Sequence, residues 1–287
     1  MDTASIPTLV KAEWVAAHLK DPSLCVVDAT VHLPDTGRNA KGEYLAAHIP
    51  GALFFDLEDI ADPDNPLPRK IPPRDRFVER VAALGIGNET HVIAYDTPGL
   101  YSAARVWWLF RQFGHDKVSI LDGGLVAWKA AGLPTTAGDE RRPPARFTPT
   151  GQRDLATYWP EVLRTVQNRD RQILDARTPG RFAGTEVDRY PGARPGHIPH
   201  SLNLYWAQLL DPKTRELLPV DALRQRFADA GLSPQQPTTL TCGSGLTACI
   251  LALGLHLSGN DNWKVYDGSW DEWGRRADLP VESQAEA

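Results

Sequence analysis

Cysteine is scarce in this chain of 287 residues: there are three, Cys25, Cys242 and Cys249. Three thiols exclude a disulfide framework and cannot alone build a zinc site of four sulfurs. They read as reduced thiols in a reducing compartment. An excess of basic charge is also missing, since 31 Lys and Arg face 36 Asp and Glu for a net charge of −5. That is not the electrostatic footprint of a general nucleic-acid binder. No long apolar run occurs. The longest, 246–257, is interrupted by Thr247 and His256; it is too short to span a bilayer and predicts a buried helix. The N-terminal MDTASIPTLVKAEWVAAHLK has no basic start followed by an apolar core, so no secretory signal is read there. A cytoplasmic protein without nucleic-acid or membrane partners is expected. What is present is ordinary for a folded chain: 42% hydrophobic and 23% charged residues. The length suggests about two domains, and residues 282–287 read as a frayed tail.

The chain repeats itself. Val26-Val27-Asp28-Ala29 resembles Ile173-Leu174-Asp175-Ala176, and His48-Ile49-Pro50 recurs as His197-Ile198-Pro199. Leu121-Asp122-Gly123-Gly124 with Trp128 recurs as Tyr266-Asp267-Gly268-Ser269 with Trp273. Ala131-Gly132-Leu133-Pro134 matches Ala277-Asp278-Leu279-Pro280. The spacings hold: Asp28 to His48 is 20 positions and Asp175 to His197 is 22, while Asp122 to Pro134 is 12 and Asp267 to Pro280 is 13. Shared order and spacing predict a tandem duplication. The expected organisation is an N-terminal domain over 1–138, a polar, Pro-rich linker over 139–154, and a C-terminal domain over 155–287.

Each half alternates strand and helix. Short apolar runs predict strands at 24–29, 91–95 and 118–121, then at 172–175, 201–204, 238–241 and 264–266. Helices are predicted at 75–84, closed by Gly85, and at 102–113, closed by Gly114. In the second half they fall at 220–230 and 247–258. The pattern predicts an α/β fold in which each domain is a mostly parallel sheet flanked by helices. Ligands in such folds sit at the carboxyl ends of strands.

The halves differ at one strand-to-helix junction. The first reads Tyr95-Asp96-Thr97-Pro98-Gly99-Leu100, the second Thr241-Cys242-Gly243-Ser244-Gly245-Leu246. Asp96 therefore stands where the second copy has Cys242. A duplicated scaffold with one thiol predicts one active and one inactive domain. Cys242 ends a strand before a small-residue loop and a helix, where N–H groups and the helix dipole favour a thiolate, the nucleophilic form. Cys25, inside a strand, and Cys249, inside an apolar helix, fit the commoner fate of a buried structural cysteine. His48 and His197 precede Ile-Pro in both copies, including the one without a thiol, which predicts a folding role. Trp107 and Trp108 are expected in packing, and Arg177, beside Asp175, in a structural pair.

Cys242-Gly243-Ser244-Gly245-Leu246-Thr247-Ala248 resembles the active-site loop of two-domain rhodanese-like sulfurtransferases, in particular those acting on 3-mercaptopyruvate. Gly196-His197-Ile198-Pro199, Asp267-Gly268-Ser269-Trp270 and the first-half stretch from Leu100 to Gly124 resemble its other motifs. The resemblance covers roughly residues 8–280. Leu246 stands where the family most often has valine. The resemblance implies tandem rhodanese-like domains and a two-step cycle without metal or organic cofactor. Cys242 accepts a sulfur atom from a donor, becomes a persulfide, and passes the outer sulfur to thioredoxin, a small thiol or cyanide. A monomer is expected.

Two donors compete. Relatives that use thiosulfate have Arg-Lys after the cysteine, whereas here Gly243 and Ser244 are neutral. That favours 3-mercaptopyruvate, with Ser244 relaying a proton to the departing enolate, and Gly243, Gly245, Leu246 and Thr247 lining the donor. By motif match, Arg181 and Arg189 would hold the donor's carboxylate and carbonyl. Many relatives carry a histidine in a Leu-Pro-His segment, proposed to form a proton relay with an acidic residue and the loop serine. Leu67-Pro68-Arg69 puts Arg69 at that position, and Glu58 matches the acidic one. Arginine stays protonated and cannot act as a general base. Arg69 would instead add positive potential, which could help an anionic donor such as thiosulfate. Outside this class, a phosphatase of the same fold requires Cys-x5-Arg, but the required position holds Ala248. A phosphate-binding loop would need Gly-Lys-Ser/Thr after the glycines, which is missing. A non-catalytic binding module would be expected to lack the cysteine, as the first half does.

Overall fold

In the computed structural model, which describes residues 6–33 and 36–284, the apolar runs form the inner strands of two parallel sheets. The first half comprises β1 (Leu9–Val10), α1 (Ala12–His18), β2 (Leu24–Asp28), α2 (Ala40–Ala46), β3 (Leu53–Phe54), α3 (Leu57–Ile60), α4 (Arg74–Ala83), β4 (His91–Tyr95), α5 (Ala103–Gln112), β5 (Val118–Leu121) and α6 (Gly124–Ala130). The second comprises β6 (Ala156–Thr157), α7 (Trp159–Asn168), β7 (Gln172–Asp175), α8 (Pro179–Ala183), β8 (Leu202–Asn203), a 3-10 turn at Trp206–Leu209, α9 (Val220–Asp229), β9 (Thr238–Thr241), α10 (Ala248–Leu257), β10 (Trp263–Tyr266) and α11 (Ser269–Trp273).

The sheet orders are β1-β5-β4-β2-β3 and β6-β10-β9-β7-β8, the same path twice. The pairings between these strands are parallel, with Ile93 opposite Ser119 in one sheet and Leu240 opposite Val265 in the other. Buried runs such as Leu24–Asp28 suit strands covered on both faces. By chain contacts the molecule divides into two units. One runs to Asp64, resumes over Ile71–Arg153 and includes Pro212–Glu216; the other holds Asn65–Lys70, Asp154–Asp211 and the chain from Leu217. Among the described residues no helix is long and apolar enough to cross a membrane.

The sequence repeats have physical counterparts. Trp128 and Trp273 are both fully buried, and each indole N–H donates to the carbonyl of the exit proline, Pro134 or Pro280, at 2.8 Å. His48 donates from Nδ1 to the Tyr44 carbonyl at 2.7 Å and stacks on Tyr44, while His197 does the same with Phe182. Both histidines fasten a turn, as their presence in both copies predicts. Trp107 and Trp108 are buried in α5, with Arg111 and Arg105 over their rings.

The inner strands and long helices fall where periodicity places them. Gly85 (φ 73°) and Gly114 (φ 78°) close α4 and α5 in the left-handed conformation. The strand predicted over 201–204 contracts to two residues: Ser201 N–H turns back to Ile198 at its start, and the Leu204 N–H bonds the Asp175 carbonyl at its end. The two-residue strands β1, β3 and β6 are too short for an alternation to register. Of the tail read as frayed, residues 285–287 lie outside the described residues.

Candidate active site

Cys242 follows β9, the central strand of its sheet, at its carboxyl end, and is 1% exposed. The loop 243–247 bends under its sulfur so that the Gly245 N–H donates to Sγ at 3.1 Å. Gly245 has φ 84°, a left-handed conformation that glycine adopts without steric cost. Ser244, Leu246 and Thr247 are buried along the same turn, which leads into α10. Cys249, one turn into that helix, donates from its thiol to the Gly245 carbonyl at 3.3 Å. Cys25 lies in β2, and burial pushes its thiol up. All three cysteines are free.

The loop after β10 closes the other side of the site. Ser269 accepts the Cys242 N–H at 3.2 Å, donates to the Tyr266 carbonyl at 2.8 Å, and sets its oxygen 3.9 Å from Sγ. To do so it adopts φ 51°, where the first copy has Gly124 at φ 52°. Trp270 N–H bonds the Cys242 carbonyl at 3.0 Å, as Leu125 N–H bonds that of Asp96. Below, Lys70 is 3% exposed and donates to the carbonyls of Ser244 and Asp267, at 2.9 and 2.5 Å, so one ammonium joins both loops. Asp271 lies in α11, its N–H on the Gly243 carbonyl at 2.8 Å and its carboxylate paired with Arg275 at 2.6 Å. Burial pushes its carboxyl up, opposed by the charges of Arg275, Lys70 and Arg69.

The first copy shows what this cradle accepts. Asp96 Oδ2 takes three backbone N–H groups, from Tyr101, Ser102 and Ala103, at 2.7, 2.7 and 2.8 Å. The loop is an anion-binding nest that carries its own carboxylate. Burial pushes that carboxyl up, while the surrounding N–H groups pull the other way.

The remaining expected residues are placed as follows. Arg181 in α8 pairs with Asp188 at 2.8 Å, and its guanidinium lies 5.6 Å from the centre of the Tyr190 ring. Arg189 is exposed in the neighbouring segment. Arg177 is buried against Asp175, Asp188, the Gly196 carbonyl and the Trp270 ring, a structural network. Arg69 is 8% exposed at φ 59° and acts electrostatically on Asp271. Glu58 is exposed in the first turn of α3, in the other unit. Sequence reasoning did not assign roles to Lys70, Tyr190, Ser269 or Asp271. The substitution of serine for the glycine of the first copy was the available signal for Ser269. Nothing in the spacing marks the other three.

The rhodanese-like domain family matches the chain twice, over residues 11–131 and 159–276. The chain is 40% identical to human 3-mercaptopyruvate sulfurtransferase over 275 residues, spanning 94% of this chain and 92% of the human protein. It is also 40% identical to the Escherichia coli K12 enzyme of that name over 274 residues, 95% and 97% of the two chains. Rat thiosulfate sulfurtransferase is likewise 40% identical over 276 residues, 94% and 92%. The crystal structure of SseA from Escherichia coli, described as a 3-mercaptopyruvate sulfotransferase, matches with a TM-score of 0.84 at 38% identity, covering 92% of this chain and 98% of that one.

Proposed function

The chain belongs to the rhodanese-like family, as two such domains in tandem, and is a sulfurtransferase; on that premise we propose that it moves sulfur from 3-mercaptopyruvate through a persulfide on Cys242. The observation that carries this reading is the thiol seated at the end of β9 with the Gly245 N–H on its sulfur, where the first copy holds a carboxylate in the same nest. The first domain, over 1–138, is the inactive copy.

The chemistry follows from that seat. The Cys242 thiolate attacks the donor sulfur, an S–S bond forms, and the donor C–S bond breaks. The electron pair leaves on the three-carbon fragment as the pyruvate enolate, whose methylene carbon takes up the proton the donor thiol gives up. Ser244 relays that proton. The backbone N–H groups that hold the thiolate stabilise the persulfide anion as well. An acceptor thiol, thioredoxin or a small thiol, or cyanide then attacks the outer sulfur, and the S–S electron pair returns to Cys242. Arg181 and Arg189 bind the donor's carboxylate and carbonyl, and Gly243, Gly245, Leu246 and Thr247 line its path. The protein acts as a cytoplasmic monomer whose thiols stay reduced.

Thiosulfate is the second reading, favoured by the cations Lys70 and Arg69 near the loop. Comparing kcat/KM for the two donors decides between them: 3-mercaptopyruvate is expected to be preferred, and a preference for thiosulfate reverses the assignment. Arg189→Ala should lower kcat/KM for 3-mercaptopyruvate about 10- to 150-fold, the cost of one charged hydrogen bond. Indifference to that change would remove Arg189 from the site.

A further inference from the structure

Tyr190 has no part in the scheme above, yet its ring lies against the residue that follows the candidate nucleophile. A methyl group built on Gly243 would sit 2.4 Å from the Tyr190 hydroxyl oxygen and 2.6 Å from its Cε2. Only glycine at 243 lets the phenol come this close to the loop backbone. Ser244 and Cys242 both act electrostatically on the phenol. Burial keeps the phenol protonated by pushing it above its ordinary range; the Cys242 sulfur acts in the same direction and the Ser244 hydroxyl against it.

The phenol is held in place from behind. Arg181 covers its ring, Asp188 fixes Arg181, and Arg177 fixes Asp188 at 3.0 Å. Arg177 is itself locked on Asp175 at the end of β7 and on Trp270. A series of charged contacts therefore positions a neutral donor against the loop residue that follows Cys242 before any ligand arrives.

We propose that Tyr190 is a catalytic residue of the step that releases pyruvate, its hydroxyl donating a hydrogen bond to the oxygen of the leaving enolate. The argument rests on the sulfur-carrier reading of Cys242. With the donor sulfur at Sγ, the donor's carbonyl oxygen is three bonds from that sulfur, on the order of 3–4 Å away by ordinary bond lengths. The phenol hydroxyl packs against Gly243, the residue next to the one that carries that sulfur. As the C–S bond breaks, negative charge collects on this oxygen, and a preorganised donor gains strength there. Tyr190 transfers no proton: the donor thiol supplies the one that ends on carbon. Discharge of the persulfide to an acceptor generates no enolate, so Tyr190 serves only the first half-reaction.

The test separates the halves in the wild type and Tyr190→Phe. Single-turnover pyruvate release from 3-mercaptopyruvate is measured first. Both proteins are then loaded with inorganic polysulfide, and transfer of the outer sulfur to dithiothreitol is timed. Pyruvate release should slow about 10- to 100-fold in the variant, with discharge within about twofold of wild type. Equal slowing of both halves shows a merely structural tyrosine and overturns the proposal, as does unchanged pyruvate release. A wild type that takes no sulfur onto Cys242 from 3-mercaptopyruvate overturns the sulfur-carrier reading itself, and this proposal with it.

Discussion

Asp96 and Cys242 occupy one position in two copies of a loop. In the first copy the carboxyl of Asp96 takes three N–H groups on one oxygen. In the second, a sulfur occupies the nest with Gly245 N–H beneath it. Arg69 stands where the resemblance implies a relay histidine. It is buried beside the loop, always protonated, and unable to relay a proton. Under the sulfur-carrier reading, no base at 69 is then available to activate Cys242. Arg69→His is therefore expected to leave 3-mercaptopyruvate turnover within about twofold near neutral pH, well under the 10² gained from a working general base. The same change should weaken use of thiosulfate, and added salt should shrink the difference. Initial rates with each donor at two ionic strengths check this. A large gain with 3-mercaptopyruvate would mean that a base at 69 was needed.

At the scale of elements, the two strand-loop-helix turns differ in what they demand of their neighbours. A Cβ on Gly124 would meet the Asp96 carbonyl at 2.4 Å, so the first copy needs glycine there. The second copy puts Ser269 in the same left-handed conformation, which costs a non-glycine residue about 1–2 kcal/mol, and uses its hydroxyl to hold the Cys242 N–H. Strain is kept where the sulfur sits. In the turn of the first copy, Asp96→Ala should leave three buried N–H groups without their acceptor. At 1–3 kcal/mol for each unsatisfied group, relaxed in part by water, a loss of about 3 kcal/mol or more is expected. Urea denaturation measures it; a loss below about 1 kcal/mol would show that the nest does not depend on its carboxylate. The inner strands and the cysteine loop were legible in sequence because they are apolar runs ending in glycine-rich turns, and because a second copy stood beside them for alignment. Tyr190, Lys70 and Asp271 were not legible. Tyr190 reaches the loop from an irregular segment and Lys70 from 174 positions away in sequence, and no periodicity records such approaches.

At the scale of the whole molecule, duplication repeats the fold and its fastenings while Asp96 in one copy stands where the other has Cys242. Paired tryptophans and paired turn histidines made that plan readable, since each recurs at a matching offset. Stability should depend on pH through the first unit. His91, at the start of β4, is bonded through Nε2 to Ser119 Oγ at 2.7 Å and lies beside Trp14; burial lowers its pKa from 6.5 to about 4. Burial lowers that of His115 as well. A depressed histidine is neutral in the native state, so the unfolded chain binds more protons between pH 6.5 and 4. The contribution is complete above 6.5 and is lost as pH falls toward 4, by about 2 kcal/mol for His91 after allowing for solvent screening at its exposed edge. Urea midpoints of wild type and His91→Gln across that range should converge as pH falls, and a constant difference would contradict the assignment.

The central claim is that Cys242 carries the sulfur, and the mass of the protein after brief exposure to 3-mercaptopyruvate without acceptor tests it most directly. The account predicts a gain of one sulfur atom on the peptide containing Cys242, lost on adding a thiol, retained in Cys25→Ser and Cys249→Ser, and missing in Cys242→Ser together with all turnover. Added sulfur on another cysteine, or substantial turnover by Cys242→Ser, would contradict it.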